Sequence, residues 1–154
     1  MSVNKNISIA FSIFLLVVMT NTIFAQKEVD ANNGASKQEI LFQSKSWNET
    51  LAMAKSSGKY IFVDAFTTWC GPCKLLKSTT FRDKNTAAFF NENFVSYAVD
   101  MEKGEGVGLA EKWEVTAYPA LLFFSPDGKM VLRQTGYVDG KKLIQFGKQA
   151  LEKK

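Results

Sequence analysis

The run Val63-Asp64-Ala65-Phe66-Thr67-Thr68-Trp69-Cys70-Gly71-Pro72-Cys73-Lys74 constrains what this chain can fold into more than any other. It holds the only two cysteines of the sequence, two residues apart. Lys59 to Phe66 is nearly continuous apolar sequence and reads as a strand buried on both faces of a sheet. Cys70 to Thr80 reads as a helix that begins at the cysteine pair. Pro72 falls in its first turn, where the missing N–H has no intrahelical partner to lose. A Cys-x-x-Cys at a strand-to-helix junction reads as a dithiol redox site.

Two other uses of the pair are weaker. Half a zinc site would need further ligands, and the chain has no third cysteine and no histidine. A purely structural disulfide across this spacing closes so short a ring that it removes little chain entropy. The absence of histidine also removes the usual general base. That leaves Asp64 as the notable acid, set in the apolar stretch Tyr60 to Phe66. Burial of a carboxyl without a partner raises its pKa. The alternative is an Asp at a strand edge that caps a local backbone group.

The remaining pattern alternates strands and helices. Glu39 to Gln43 is a short first strand. Ser46-Trp47-Asn48-Glu49 is a capping box opening a helix to about Ser57, with Gly58 ending it. Trp47, Leu51 and Ala54 recur at helical spacing as its buried face. Asp83 caps a helix over Asn85–Asn91, and Phe94 to Val99 is the next strand. The Gly104–Gly108 segment approaches a helix ending near Trp113. Ala120 to Phe124 and Met130 to Thr135 are strands joined by the turn Ser125-Pro126-Asp127-Gly128. A final amphipathic helix spans Gly140 to Leu151, with Leu143, Ile144, Phe146 and Leu151 apolar. This order gives α/β layering around a mixed sheet.

Lys5, the uncharged run Ile7–Met19 and a small residue at Ala25 have the layout of a secretory signal peptide cut between Ala25 and Gln26. The alternative is an uncleaved anchor, but the run is shorter than the about 20 residues of a membrane-spanning helix. The expected organisation is a signal peptide over 1–25, a polar flexible leader over 26–37 and one domain over 38–154. Export places the protein in the periplasm or outside the cell, where disulfides persist. A net charge of +4, scattered without a basic block, gives no support to nucleic-acid binding.

The Val63–Lys74 run resembles the active-site segment of thioredoxins, including the acid six positions before the first cysteine. The resemblance extends over roughly Glu39 to Leu151. It implies the thioredoxin fold, a central mixed β-sheet flanked by helices on both faces. The stretch Thr80 to Glu105 resembles exported members related to the soluble domain of the thiol:disulfide interchange proteins.

The resemblance implies thiol–disulfide exchange. Cys70, at the helix N-terminus, is the expected nucleophile, since free N–H groups and the helix dipole favour its thiolate. Cys73, one turn further on, is the expected resolving thiol. Asp64 would accept its proton through water. Many thioredoxins carry a lysine facing that acid from the next strand, whereas Ser96 stands at the matching place here. The family implies a cis bond before Pro119, with the backbone of Tyr118 pairing with an extended substrate; read alone, Pro119 is a trans proline at a strand start. Tyr118 is bulkier than the residues common there. Trp69 would shelter the site, or else fill core. Gly136 fits either the family glycine beside the substrate or a plain turn. Gly71-Pro72 resembles reducing members. The expectation is a monomeric reductase of disulfide-containing client proteins, with no cofactor and no metal, recharged by a membrane thiol electron donor. The rival readings are a disulfide oxidant or isomerase, or a non-catalytic client-binding module.

Overall fold

The computed structural model describes residues 39–153. The expected signal peptide and leader lie outside the described residues. In chain order the elements are β1 (Phe42–Gln43), α1 (Trp47–Ser57), β2 (Tyr60–Phe66), α2 (Gly71–Ser78), a 3-10 turn (Thr80–Arg82), α3 (Lys84–Asn93), β3 (Phe94–Asp100), α4 (Gly106–Lys112), β4 (Ala120–Phe124), β5 (Met130–Thr135) and α5 (Gly140–Leu151).

Helix starts are set by the side chains the sequence offers. Ser46 Oγ accepts from Glu49 N–H at 3.4 Å while Ser46 N–H donates to Glu49 Oε2 at 3.0 Å, completing the capping box. Gly58 closes α1 at φ +68°, a left-handed conformation that suits glycine. Asp83 caps α3 and Asp139 caps α5 through their carboxylates.

The strands form one five-stranded sheet in the order β1-β3-β2-β4-β5. β3 runs parallel to both β1 and β2, while β4 is antiparallel to β2 and to β5. β2 is therefore central, paired along both edges, and five of its seven residues are buried. Its odd-numbered residues, Ile61, Val63 and Ala65, pack with Trp47 and Ala54 of α1 and Leu109 of α4. Phe62 points the other way, into a core with Leu76 of α2, Phe90 of α3 and Leu143 of α5. By strand alternation Asp64 shares the Phe62 face.

Several boundaries differ from the sequence-based expectation. The first strand shrinks from Glu39–Gln43 to Phe42–Gln43, because Ile40 instead donates its N–H to the Phe81 carbonyl at 2.8 Å. The helix expected over Cys70–Thr80 stops at Ser78, where the chain tightens into the 3-10 turn. On α1 the buried residues are Trp47, Thr50 and Ala54, with Leu51 half-buried beneath Gly128. On α5 Leu143 is buried and Ile144, Phe146 and Leu151 are half-buried, because Gly147 and Ala150 take the face against α3.

Phe62 is the hub of the second core. Its ring centroid lies 4.7 Å from that of Phe90, 5.2 Å from Phe123 and 6.1 Å from both Phe81 and Phe42. Phe62→Ala is expected to lower unfolding stability by about 3–5 kcal/mol, read by urea or guanidinium melts. A loss below about 1 kcal/mol would show that the surrounding rings close the gap.

Candidate active site

The site forms where the central strand ends. β2 stops at Phe66, and four residues later Cys70 serves as N-cap of α2 in extended conformation, with φ −70° and ψ 109°. Cys70 Sγ accepts a hydrogen bond from the Cys73 N–H at 3.1 Å. Pro72 lies in the first turn of the helix, where it has no donor to satisfy. The two cysteines are joined as a disulfide, with Cα atoms 5.3 Å apart. Both are buried, Cys70 at 3% exposure and Cys73 at 1%. In the reduced form a thiolate at Cys70 would keep the Cys73 N–H and gain the positive end of the α2 dipole.

β4 brings the second half of the site. The β2–β4 register pairs Ala65 with Ala120, so Pro119 falls beside the last turn of β2. The Tyr118–Pro119 bond is cis. The Pro119 carbonyl accepts from Gly136 N–H at 2.9 Å. Gly136 sits at φ +91°, and a Cβ built there would meet nothing within 4 Å. The position thus requires glycine for its backbone conformation and leaves open space beside Pro119.

Trp69 is 65% exposed, which excludes a core-filling role. Its Nε1–H donates to both carboxylate oxygens of Glu102, at 2.9 and 3.1 Å. Its ring meets Tyr118 edge-on at 5.9 Å. The tryptophan is thus fixed from two sides, tying the cysteine loop to the segment before Pro119. Tryptophan and tyrosine together offer a rigid apolar wall beside the disulfide. Gly71 and Pro72, next to Cys70 in the chain, are exposed. Sequence reasoning did not single out Glu102. Its signal was faint: an acid just past the end of β3, on the edge beside β2.

Asp64 lies in mid-strand and is fully buried, with neither carboxylate oxygen bonded to a described protein group. It caps nothing, so the strand-edge alternative fails. Burial pushes its pKa from 3.8 up to about 7, with the charge of Lys77 pulling the other way. Directly opposite it on β3 is Ala98, and on β4 Leu121. Ser96 occupies the same face of β3, buried and with its hydroxyl unpaired. It brings no cation to the acid.

Among the described residues no cluster of potential ligands is placed to hold a metal ion. Nor is any described helix long and apolar enough to cross a membrane. A cavity of about 540 Å³ between Thr79, Asp83, Tyr137 and Ile144 contains none of these site residues.

A cysteine pair that closes as a disulfide at a helix start, a buried acid whose pKa burial raises to about 7 and a backbone segment beside a cis-proline can exchange disulfides with an extended chain. The comparisons with known proteins agree. The sequence profile of the thioredoxin-like domain matches residues 47–151. Thioredoxin-2 of Saccharomyces cerevisiae is 35% identical over 99 residues, covering 63% of this chain and 86% of its own. The thiol:disulfide interchange protein DsbD of Pseudomonas fluorescens is 27% identical over 105 residues, covering 66% of this chain. The match spans only 18% of that longer protein. The solution structure of a proposed disulphide-isomerase from Bacteroides thetaiotaomicron superposes with a TM-score of 0.67 at 44% identity, covering 76% of this chain and 97% of that one.

The buried acid makes stability depend on pH. Asp64 holds its proton up to about pH 7 when folded and releases it near 3.8 when unfolded. Between those values the folded state binds more protons, so stability is full below about pH 4 and falls as pH rises through 7. The oxidised wild type is expected to lose up to about 4 kcal/mol relative to Asp64→Asn across that window. Urea melts of both proteins at pH 4 and pH 8 check this. Parallel pH curves would mean that the carboxyl finds compensation on ionising.

Proposed function

The chain belongs to the thioredoxin-like family and is a thiol–disulfide oxidoreductase of that type, and we propose that it reduces disulfides of client proteins in the periplasm or outside the cell. The observation that carries the reading is the Cys70-Gly71-Pro72-Cys73 pair at a helix start, closed as a disulfide and walled by Trp69 and Tyr118. The reducing direction draws support from the uncharged Gly71-Pro72 spacer, which adds nothing to stabilise the thiolate. It draws further support from the likeness to a yeast thioredoxin. The exported location rests on the N-terminal pattern of residues 1–25 and on the likeness to DsbD. That likeness also favours a membrane thiol electron donor as partner.

The reaction runs in two displacements. The Cys70 thiolate attacks a client disulfide, forming a mixed disulfide and expelling one client thiolate, which takes a proton from water. Asp64 then takes the Cys73 proton. The Cys73 thiolate attacks Cys70 Sγ, closing the Cys70–Cys73 bond and expelling the second client thiolate. The client gains two electrons and the protein dithiol loses them. A donor dithiol resets the pair by the reverse exchange. Tyr118 and Gly136 border the segment where an extended client strand would pair with backbone.

Isomerisation is the second reading, favoured by the 44% identity to the proposed disulphide-isomerase. An isomerase would use the same Cys70 attack but release Cys70 by rearrangement within the client, leaving the dithiol unconsumed.

Trapping and potential measurements separate these readings. Cys73→Ser is expected to accumulate mixed disulfides with clients on non-reducing gels, whereas Cys70→Ser gives none. Equal trapping by both would reverse or remove the assignment. The Cys70/Cys73 potential is expected nearer the about −270 mV of thioredoxin than the about −120 mV of a strong periplasmic oxidant. A value near the oxidant would replace the reductase with an oxidase. Recovery of scrambled disulfides without net dithiol consumption would favour the isomerase.

A further inference from the structure

Helix α4 ends in a turn that its sequence does not favour. The Val115 N–H donates back to the Ala110 carbonyl at 2.9 Å and the Glu114 N–H to the Glu111 carbonyl at 3.1 Å. This pair of bonds reverses the chain through one left-handed residue, a place usually taken by glycine. Here it is Glu114, at φ +52°. Among the described residues it is the only non-glycine with a positive φ. A side chain in that conformation is strained, and the strain persists only where surrounding contacts hold it.

Arg133 supplies such a contact. It lies on the edge strand β5, paired with Leu122 of β4, and its side chain reaches the end of α4. Its Nη1–H donates to the Glu114 carbonyl at 2.9 Å, and its Nη2–H donates to the Trp113 carbonyl. Both carbonyls lie past the last helical hydrogen bond, and neither has another described partner. A planar guanidinium serves both at once, and its charge suits the negative end of the helix. No described carboxylate pairs with Arg133, so an ion pair does not account for it.

The turn sets the segment that follows. Val115 is buried, Thr116 and Ala117 are exposed, and Tyr118 is half-buried. The backbone groups of Thr116, Ala117 and Tyr118 have no described hydrogen-bond partner. They form an open stretch leading into Pro119, where a client chain would pair. Relaxation of Glu114 to an ordinary negative φ would redirect this stretch and carry Tyr118 from its edge-on contact with Trp69.

We propose that Arg133 is a positioning residue for client binding: by clamping the left-handed turn at Glu114, it holds Thr116–Tyr118 where client backbone pairs. The inference rests on the reading of that segment as the client edge. Arg133 makes no described contact with either cysteine, so it acts on how well clients bind and not on the sulfur chemistry that follows.

The test compares the full wild-type chain with Arg133→Met, Glu114→Gly and the double variant. Each protein is pre-reduced and mixed with insulin over a range of concentrations, and exchange is followed by stopped flow. In Arg133→Met the half-saturating insulin concentration is expected to rise about fivefold or more, as when only about a fifth of the molecules hold the competent segment, while the limiting rate changes less than about twofold. Glycine accepts the left-handed turn without a clamp, so the double variant is expected to return to within about twofold of Glu114→Gly alone. An unchanged half-saturation in Arg133→Met, or a fall in limiting rate as large as the rise in half-saturation, overturns the role. A half-saturation that stays raised in the double variant overturns the clamp, since Arg133 would then meet the client itself. The NOE between the Trp69 and Tyr118 rings reads the positioning without turnover. It is expected to weaken in Arg133→Met and to return in the double variant, and an unchanged NOE overturns the clamp. If the NOE behaves as expected while none of the proteins exchanges with insulin, the clamp stands and the reading of the chain as a client reductase fails.

Discussion

The molecule depends on the double burial of β2. A strand paired on both edges and covered on both faces has no side that water can reach, so its backbone must be fully bonded within the sheet and its side chains must be apolar. Tyr60 to Phe66 meets that demand at every position but one. Ile61, Val63 and Ala65 fill one core, Phe62 anchors the other, and the helices on each face are fixed by what they pack against. The strand therefore delivers its C-terminal end, and Cys70 beyond it, to a defined place. The single exception is Asp64. A carboxyl at that place opposes folding at neutral pH, and the rest of β2 must offset it.

Register converts that rigid strand into a site. Because Ala65 pairs with Ala120, Pro119 comes to rest beside the end of β2, and because Ala120 pairs with Thr135, Gly136 comes to rest beside Pro119. Three segments distant in sequence meet at one end of the sheet without any one of them needing a long ordered loop. The side-chain ties are few: Trp69 to Glu102 and to Tyr118, and Cys73 N–H to Cys70 Sγ. Rigid elements with short connections hold reacting atoms better than loops do.

Much of this was legible in the sequence, for identifiable reasons. Periodicity marked the helices and the buried strands, and Ser46, Gly58, Pro72 and Asp83 marked their ends by local hydrogen-bonding chemistry that needs no tertiary information. The Cys-x-x-Cys run and the lone acid in an apolar strand pointed to the end of the sheet where the candidate site lies. What the sequence did not carry was decided across space. The first strand ends up two residues long because the Ile40 N–H finds Phe81, far along the chain. The α2 helix breaks at Thr79 although Thr79 and Thr80 are compatible with continuation. Glu102 looks like any surface acid until Trp69 is seen beside it. Lys77 reads as one more lysine on an exposed helix face, and only the sheet geometry places its ammonium over Phe66.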